Sequence, residues 1–201
     1  MFITKNRSST VSTSGKMSKV IFLDVDGVLC INGKFYSCLI KNLKKIIDKT
    51  DAIIVLSSNW RLYPQYRERL EKILGKYEIK IQGYTESIDD ERPLEIYNWI
   101  VTHKPQMCVI IDDRALDKEK HGHKIKDLII KTNDLFGLTD ACVNRASFML
   151  NMHYLFYDLH MSKILNTKHF TGLTYRELYK QKKKYEQETS FLPTLKSKKN
   201  A

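Results

Sequence analysis

The chain has 201 residues, enough for one domain with a buried core and a few dozen residues of tail. Its formal net charge is +11, but residues 1–18 contribute +3 and residues 163–201 contribute +7, so residues 19–162 carry only +1. The basic excess therefore lies in the tails, where it favours anionic membranes or nucleic acid without identifying a substrate. No uncharged apolar run reaches the roughly 20 residues that span a bilayer, which argues against a transmembrane protein.

Three regions are predicted along the chain. Residues 1–18 are rich in Ser and Thr and carry three basic and no acidic residues, which is typical of a disordered N-terminal arm. Residues 19–162 are expected to form the folded domain. Residues 163–201 are predicted to be a basic C-terminal extension, helical from a capping box at Thr174 and Glu177.

Five short apolar runs predict strands that are buried on both faces. They are KVIFLD at 19–24, AIIVL at 52–56, YEIKI at 77–81, MCVII at 107–111 and DLIIK at 127–131. Helical periodicity separates them, and Pro93 suits the first turn of the helix that precedes the fourth strand. This alternation predicts an α/β fold, with a central five-stranded parallel sheet and right-handed crossovers that place helices on both faces. Thr139 is the predicted N-cap of a last helix that runs to about Leu150.

Polar residues follow the first, second and fourth predicted strands. Asp24 ends the first and Asp26 comes two residues later, Ser57 follows the second, and Asp112 and Asp113 follow the fourth. Because parallel strands end at one edge of a sheet, these side chains are expected to meet there. Several carboxylates in one small space repel one another unless a divalent cation neutralises them. Oxygen ligands without His or Cys favour magnesium, Mg²⁺.

These segments carry a family resemblance. The run FLDVDGVL at 22–29 resembles the DxDGT/V signature of the haloacid-dehalogenase (HAD) superfamily. IIVLSSNWR at 53–61, ERPLEIYNWI at 91–100 and VIIDDR at 109–114 are similar to its later motifs, and IKTNDLFGLTDACVNRASFML resembles the end of the HAD domain of Swiss-army-knife RNA-repair proteins. The resemblance covers about residues 19–150 and implies a HAD-like Rossmannoid fold.

The resemblance also implies a phosphatase mechanism at the first two motifs. Asp24 would be the nucleophile that forms an aspartyl-phosphate, which water later hydrolyses. Asp26 would act as general acid and base, and its backbone carbonyl would bind Mg²⁺ together with the Asp24 carboxylate. Gly27 would allow the tight turn between them. Ser57 would hydrogen-bond a phosphoryl oxygen, although Ser58 is close enough to take that role instead.

The remaining roles fall on the third and fourth motifs. Arg92, at the start of a helix, would neutralise the developing negative charge, and its rival Lys104 lies near the far end of that helix. Asp113 would contact the metal directly, and Asp112 would act through water or by orienting a neighbour. Additional substrate contacts are expected from Ser58, Asn59, Arg61 and Arg114. Trp60 is read as a packing residue.

The intervals between motifs bear on the substrate. Asp24 and Ser57 are 33 residues apart, and Ser57 and Arg92 are 35 apart, so no large cap domain fits between them. An uncapped site suits a phosphate carried on a macromolecule. The first hypothesis is a protein phosphatase acting on phosphotyrosine or phosphoserine. The alternative is a nucleotidase or a nucleic-acid 3′-end phosphatase, which the RNA-repair resemblance favours.

A third hypothesis belongs to another class of protein. The basic C-terminal segment, with Lys182, Lys183 and Lys184, could recruit a binding module with vestigial catalysis to an anionic membrane or RNA. The four widely spaced cysteines favour reduced thiols and therefore a cytoplasmic protein, either free or peripheral at a membrane. A composition rich in Lys, Ile and Asn suggests an AT-rich genome, such as that of an intracellular bacterium or a large virus, and allows for a bacterial effector delivered into a host cell. The sequence does not predict an oligomeric state.

Overall fold

A computed structural model describes residues 18–151 of the protein. The predicted N-terminal arm and the basic C-terminal extension, with its helix from Thr174, lie outside the described residues. In chain order the elements are β1 (Lys19–Leu23), β2 (Cys30–Ile31), β3 (Lys34–Phe35), α1 (Ser37–Thr50), β4 (Ile53–Leu56), α2 (Pro64–Gly75), β5 (Ile81–Tyr84), α3 (Arg92–His103), β6 (Met107–Asp112), β7 (Ile129–Lys131) and α4 (Asp140–Leu150). Within residues 18–151 no helix is long and apolar enough to cross a membrane.

Five of the strands form one parallel sheet in the order β5-β4-β1-β6-β7. Successive side chains of a strand point to opposite faces, and all four residues from Val20 to Leu23 are completely buried. Both faces of the sheet are therefore covered. Trp99 of α3 packs edge-on against Phe22 of β1, with ring centroids 5.2 Å apart, while α1 packs against α4. The predicted α/β fold with a central parallel sheet is confirmed.

The register of the sheet determines how far along the strand direction the polar residues at the strand ends lie. Leu23, the last residue of β1, pairs with Leu56 of β4 on one side and with Ile111 of β6 on the other. Asp24 is the residue after Leu23, Ser57 is the residue after Leu56, and Asp112 is the residue after Ile111. These three positions are therefore level along three adjacent strands, at the carboxyl edge of the sheet.

The predicted strand at 77–81 is wrong. Residues 76–80 instead form the turn that closes α2: the backbone N–H of Ile79 bonds to Leu74 O at 3.2 Å, and Glu78 has a positive φ of 59°. Ile79 is buried by this turn, so its apolar character reflects packing and not sheet pairing. The strand begins at Ile81, and the Gln82 side chain accepts a hydrogen bond from Ile54 N at 2.7 Å.

A short antiparallel hairpin, β2–β3, follows β1 and was not predicted. Its turn residues Asn32 and Gly33 both have positive φ, of 50° and 75°, which matches the Asn-Gly preference of tight hairpins. Between Asp24 and Ser57 the chain contains this hairpin and α1, and between Ser57 and Arg92 it contains a short 3₁₀ turn, α2 and β5. The described residues contain no large cap domain in either interval.

Two helix starts were predicted well. The Thr139 hydroxyl accepts a hydrogen bond from Cys142 N, so Thr139 is the N-cap of α4 as expected. Helix α3 begins at Arg92 with Pro93 in its first turn, where a missing N–H costs nothing. Lys104 is the left-handed C-cap residue of α3 and lies at the opposite end of the helix from Arg92.

Candidate active site

Three carboxylates meet at the carboxyl edge of the sheet. Asp24 follows β1, Asp112 ends β6 and Asp113 comes next, and one ligand oxygen from each lies within 4.8 Å of the others. Asp24 is 4% exposed and Asp112 is fully buried, while Asp113 is partly open to solvent. The sequence prediction that these acids converge is confirmed for these three.

Arg92 is the cation of this cluster. Its Nη1 lies 3.0 Å from Asp24 Oδ1 and 2.7 Å from Asp112 Oδ2, so one guanidinium bridges two of the acids. Burial alone would lower the pKa of Arg92, but the charges of Asp24 and Asp112 outweigh it and raise that pKa. Arg92 therefore remains charged beside two of the acids, and its role in neutralising developing charge stays a prediction.

The charge of the cluster does not balance within the protein. Burial and the charge of Asp112 together raise the pKa of Asp24 to about 7, against the attraction of Arg92. Burial and the charge of Asp112 also raise the pKa of Asp113. Three carboxylates against one guanidinium leave an excess of two negative charges when all are ionised. A divalent cation with hard oxygen ligands would neutralise that excess, so the donor set fits Mg²⁺.

The loop after β1 is held close to these acids. Gly27 has a positive φ of 67°, and its carbonyl accepts a hydrogen bond from the Thr132 hydroxyl at 2.9 Å. The Thr132 backbone N–H in turn bonds to Asp112 O at 2.9 Å, immediately after β7. Thr132 therefore ties the loop of the first motif to the strand of the fourth, and it was not predicted to have a role.

The two serines after β4 have different environments. Ser57 is fully buried, and among the described residues its hydroxyl has no hydrogen-bond partner. The Ser58 hydroxyl bonds to the Asp24 carboxylate, which lowers the pKa of Asp24, and it also accepts from Trp60 N at 3.4 Å. A buried hydroxyl without a partner is costly, so Ser57 Oγ is suited to hydrogen-bond a ligand oxygen. Both serines remain candidates for the phosphoryl contact.

Asp26 lies apart from the three clustered carboxylates. Its side chain is exposed, and its Oδ2 accepts a hydrogen bond from Trp60 Nε1 at 2.8 Å. An accessible carboxyl group at the rim of the cluster is suited to exchanging protons with a leaving group and with water. The predicted metal contact of Asp26 runs through its backbone carbonyl and stays a prediction.

The substrate-binding role predicted for Arg61 does not agree with its contacts. Arg61 is 5% exposed, and its Nη2 lies 2.5 Å from Glu95 Oε2. Nε donates to Thr85 O, Nη1 donates to the carbonyls of Ser57 and Ser58, and Nη2 also reaches Glu86 O. All five guanidinium donors are thus in use. Arg61 positions the backbone of the serine segment and has no donor left for a substrate.

Arg114 and Asn59 also have protein partners. Arg114 makes a two-point contact with Glu119, with Nε–Oε1 and Nη2–Oε2 distances of 3.0 and 2.8 Å. This contact does not involve Nη1 and the side chain is 37% exposed, so the predicted substrate contact of Arg114 stays a prediction. Its backbone N–H donates to Asp112 Oδ1 at 2.8 Å. Asn59 accepts from Arg92 Nη2 at 3.3 Å and is exposed, which leaves its amide nitrogen available to a ligand.

Trp60, Glu95 and Thr132 contribute to the site without having been predicted to do so. Thr132 carried a signal, because it follows the fifth predicted strand at the same edge as the acids. Glu95 resembled an exposed residue in the first turn of a helix, and nothing local shows that its partner is an arginine 34 positions earlier. Trp60 was read as packing alone, because a sequence does not show where an indole N–H points.

The geometry agrees with the comparison to known families. The model of the HAD domain in Swiss Army Knife RNA repair proteins matches residues 20–143, which include every clustered acid, both serines and Arg92. No curated protein and no solved structure matches the chain. The matched region covers more than half of the chain, so this protein belongs to the HAD superfamily, in the family of HAD domains found in Swiss Army Knife RNA repair proteins.

Proposed function

We propose that the protein is a Mg²⁺-dependent phosphomonoester hydrolase that works through an aspartyl-phosphate on Asp24. One observation carries the proposal: Asp24, a buried acid directly after the central strand β1, touches Arg92 and lies within 4.8 Å of Asp112 and Asp113. An isolated carboxylate is a weak nucleophile toward a phosphate dianion because like charges repel. A guanidinium and a cation site beside it reduce that repulsion and stabilise the charge of the transferring group.

The proposed reaction has two steps. One Asp24 carboxylate oxygen attacks phosphorus in line, and the bond between phosphorus and the leaving oxygen breaks while Asp26 gives that oxygen a proton. In the second step Asp26, now ionised, takes a proton from water, and the water oxygen attacks the phosphorus of the aspartyl-phosphate. Inorganic phosphate leaves and Asp24 is restored. Arg92 and the hydroxyl of Ser57 or Ser58 would contact the phosphoryl oxygens throughout.

The metal would be held by Asp24, Asp113 and the backbone carbonyl of Asp26, with Asp112 acting through water or by orienting Arg92. Bound there, Mg²⁺ supplies positive charge that lets an anionic phosphate approach an anionic nucleophile. Asp112 already has Arg92 and the Arg114 backbone N–H as partners, which favours the indirect role.

The first test is the release of 4-nitrophenol from 4-nitrophenyl phosphate, with Mg²⁺ or with EDTA, by the wild type and by Asp24→Asn. The proposal expects turnover that depends on Mg²⁺ and falls about 10³-fold or more in the variant. Circular dichroism would show that both proteins fold. A folded wild type that neither turns over the substrate nor binds Mg²⁺ would leave a binding module as the better description.

For the substrate, we propose a phosphorylated macromolecule, and a phosphoprotein first. The absence of a large cap among the described residues leaves the edge of the sheet accessible to a bulky substrate. Tyr36, Tyr63 and Tyr66 lie exposed on the hairpin side of the site and offer a surface on which a peptide can pack. The near-neutral charge of residues 19–162 gives no strong preference for a polyanion.

A nucleic-acid end or nucleotide phosphatase is the second candidate, and the RNA-repair description of the matching family favours it. A direct comparison separates the two. The wild type would be given phosphotyrosine and phosphoserine peptides and, at equal concentration, 3′-phosphorylated oligonucleotides, with phosphate release as the readout. Turnover at least tenfold faster on peptides supports the protein phosphatase, and the reverse result supports the nucleic-acid enzyme.

The basic segment 163–201 is proposed to recruit the enzyme, in the cytoplasm, to an anionic membrane surface or RNA. Flotation with phosphatidylserine vesicles would compare the full chain with a chain that ends at residue 162. Equal binding of the two would exclude membrane recruitment by the segment, and an inactive full chain that still floats would favour the binding module. Delivery into a host cell remains a separate proposal.

A further inference from the structure

As a general acid, Asp26 would need its carboxyl group held in a fixed orientation, and exposure to solvent works against that. Its side chain is exposed, so water alone would let the carboxyl group rotate among several orientations. A general acid is effective only when its proton lies within hydrogen-bond reach of the leaving oxygen. Trp60 meets this need, because its indole Nε1–H donates to Asp26 Oδ2 at 2.8 Å, across 34 positions of sequence.

Trp60 is itself held by three neighbours. Phe35 of the hairpin meets its ring edge-on at 5.5 Å, and Tyr66 of α2 lies 5.1 Å away. The guanidinium of Arg69, also on α2, lies over the indole at 5.7 Å from its centroid and over Phe35 at 5.5 Å. The indole is therefore wedged between the hairpin and α2, so its N–H direction is set before a substrate arrives.

A second donor restricts Asp26 from the opposite end of its short loop. The Cys30 thiol is buried and is a hydrogen-bond partner of the Asp26 side chain, and burial together with the nearby charge of Asp26 raises the pKa of that thiol. The backbone N–H of Gly27 also bonds to Cys30 O at 2.8 Å. The thiol is a weak donor, whereas the indole N–H is a full one. The indole therefore contributes most to fixing the carboxyl group.

We propose that Trp60 is the positioning residue for Asp26, holding its carboxyl group where it protonates the leaving oxygen. This inference rests on the proposed phosphatase function. With Trp60 on Oδ2, the transferable proton sits on Oδ1. When that proton moves to the leaving oxygen, the carboxylate that forms keeps the indole hydrogen bond. A simple packing role for Trp60 would need the ring but not its N–H, and this difference makes the inference testable.

Trp60→Phe removes the N–H and keeps an aromatic ring between Phe35 and Tyr66. Trp99→Phe is the matched control, because Trp99 is the second of the two tryptophans and packs on Phe22 and His103. The readout is kcat/KM, which covers the steps through formation of the phosphoenzyme, on two substrates. An alkyl phosphate has a poor leaving group that needs a proton, whereas 4-nitrophenolate leaves with little help.

We expect Trp60→Phe to lower kcat/KM about tenfold or more on the alkyl phosphate and less than about threefold on 4-nitrophenyl phosphate. The larger loss is smaller than that from removing a general acid altogether, because Asp26 is still present. Trp99→Phe should change both substrates by less than about twofold. Equal losses on both substrates in Trp60→Phe would overturn the inference, because a packing defect does not distinguish leaving groups. So would a Trp99→Phe variant with the same selective loss.

Nuclear magnetic resonance tests the contact without turnover. The indole N–H signals of ¹⁵N-labelled protein are assigned with the two Phe variants and then compared in Asp26→Ala. The signal of Trp60 should move and exchange faster with solvent, while that of Trp99 stays in place. An unmoved Trp60 signal would overturn the inference. Absent turnover in a wild type whose Trp60 signal does move would instead overturn the phosphatase function, and the positioning role with it.

Discussion

Gly27 and Asp113 approach each other so closely that only glycine fits at position 27. A Cβ built on Gly27 would lie 2.2 Å from Asp113 Oδ2 and 2.4 Å from Asp113 Cγ. The glycine also has a φ of 67°, a conformation that other residues adopt at a cost. The loop of the first motif and the acid of the fourth are therefore in direct contact, so the space at Gly27 decides where Asp113 can stand.

Gly27→Ala should displace Asp113 and weaken Mg²⁺ binding about tenfold or more, with a parallel loss of turnover. Isothermal titration with Mg²⁺ would measure the affinity. Gly33→Ala is the matched control, because Gly33 has a φ of 75° but nothing within 4 Å of its added Cβ. It should cost only the backbone strain, about 1 kcal/mol of stability, and leave Mg²⁺ affinity unchanged. Equal Mg²⁺ affinity in both variants would contradict the steric argument.

The raised pKa of Asp24 predicts a stability that falls as pH rises when no metal is bound. A carboxyl group whose pKa is about 7 in the fold, against an ordinary 3.8, binds its proton more tightly folded than unfolded. The loss of folding free energy from ionising this buried group is absent below about pH 4, grows between pH 4 and pH 7, and is complete above that. At about 1.4 kcal/mol per pKa unit over about three units, Asp24→Asn should be about 4 kcal/mol more stable than wild type at pH 8.

Urea denaturation in EDTA at pH 5 and pH 8 would test this. The advantage of Asp24→Asn should be about 2 kcal/mol at pH 5, where the unfolded carboxyl group is already ionised, and about 4 kcal/mol at pH 8. Arg92 keeps Asp112 as a partner in the variant. A difference that does not change between the two pH values would show that Asp24 is not the group responsible.

Mg²⁺ should stabilise the wild type and leave Asp24→Asn nearly unchanged. At a Mg²⁺ concentration about 100 times the dissociation constant, linkage predicts about 2.7 kcal/mol of added stability. Thermal unfolding with increasing Mg²⁺, and then with excess EDTA, would measure the gain and its reversal. Ca²⁺ serves as a comparison ion of the same charge. An equal Mg²⁺ response in both proteins would mean that the cation binds elsewhere.

The buried pair of Arg61 and Glu95 should matter far more for stability than the exposed pair of Arg114 and Glu119. The side chains of the first pair are each 2% exposed, and those of the second are 37% and 30% exposed. Glu95→Gln leaves a buried guanidinium uncompensated and should cost about 3 to 5 kcal/mol. Glu119→Gln should cost less than about 1 kcal/mol. Urea denaturation would measure both losses of stability. Similar losses would contradict the conclusion that the Arg61–Glu95 pair is buried and the Arg114–Glu119 pair is exposed.

The sequence predicted those parts of the fold that depend on local patterns. Continuous apolar runs located β1, β4 and β6, because a strand covered on both faces has no polar positions to obscure it. The edge strand β5 was misplaced, because Ile79 is buried by a turn while Gln82, inside the strand, is exposed. The β2–β3 hairpin carried its Asn-Gly signal, which was overlooked.

The candidate site was predictable as far as its residues follow strands. The convergence of Asp24, Asp112 and Asp113 follows from parallel strands, and Arg92 follows from the start of a helix. The fate of Arg61 did not follow, because its five hydrogen bonds depend on Glu95 and on carbonyls that only the folded backbone brings near. Side-chain direction separates an arginine that meets a ligand from one that supports the backbone, and sequence spacing does not contain it.

The pairing of Leu23 with Leu56 and Ile111 has a consequence for how this site can change. Asp24, Ser57 and Asp112 take their relative positions from the backbone ladder of the sheet, and their own side chains are not needed to establish it. Replacing those side chains changes the chemistry at three backbone positions without moving the backbone there. The scaffold can therefore be inherited, or redesigned, independently of the reaction that it supports.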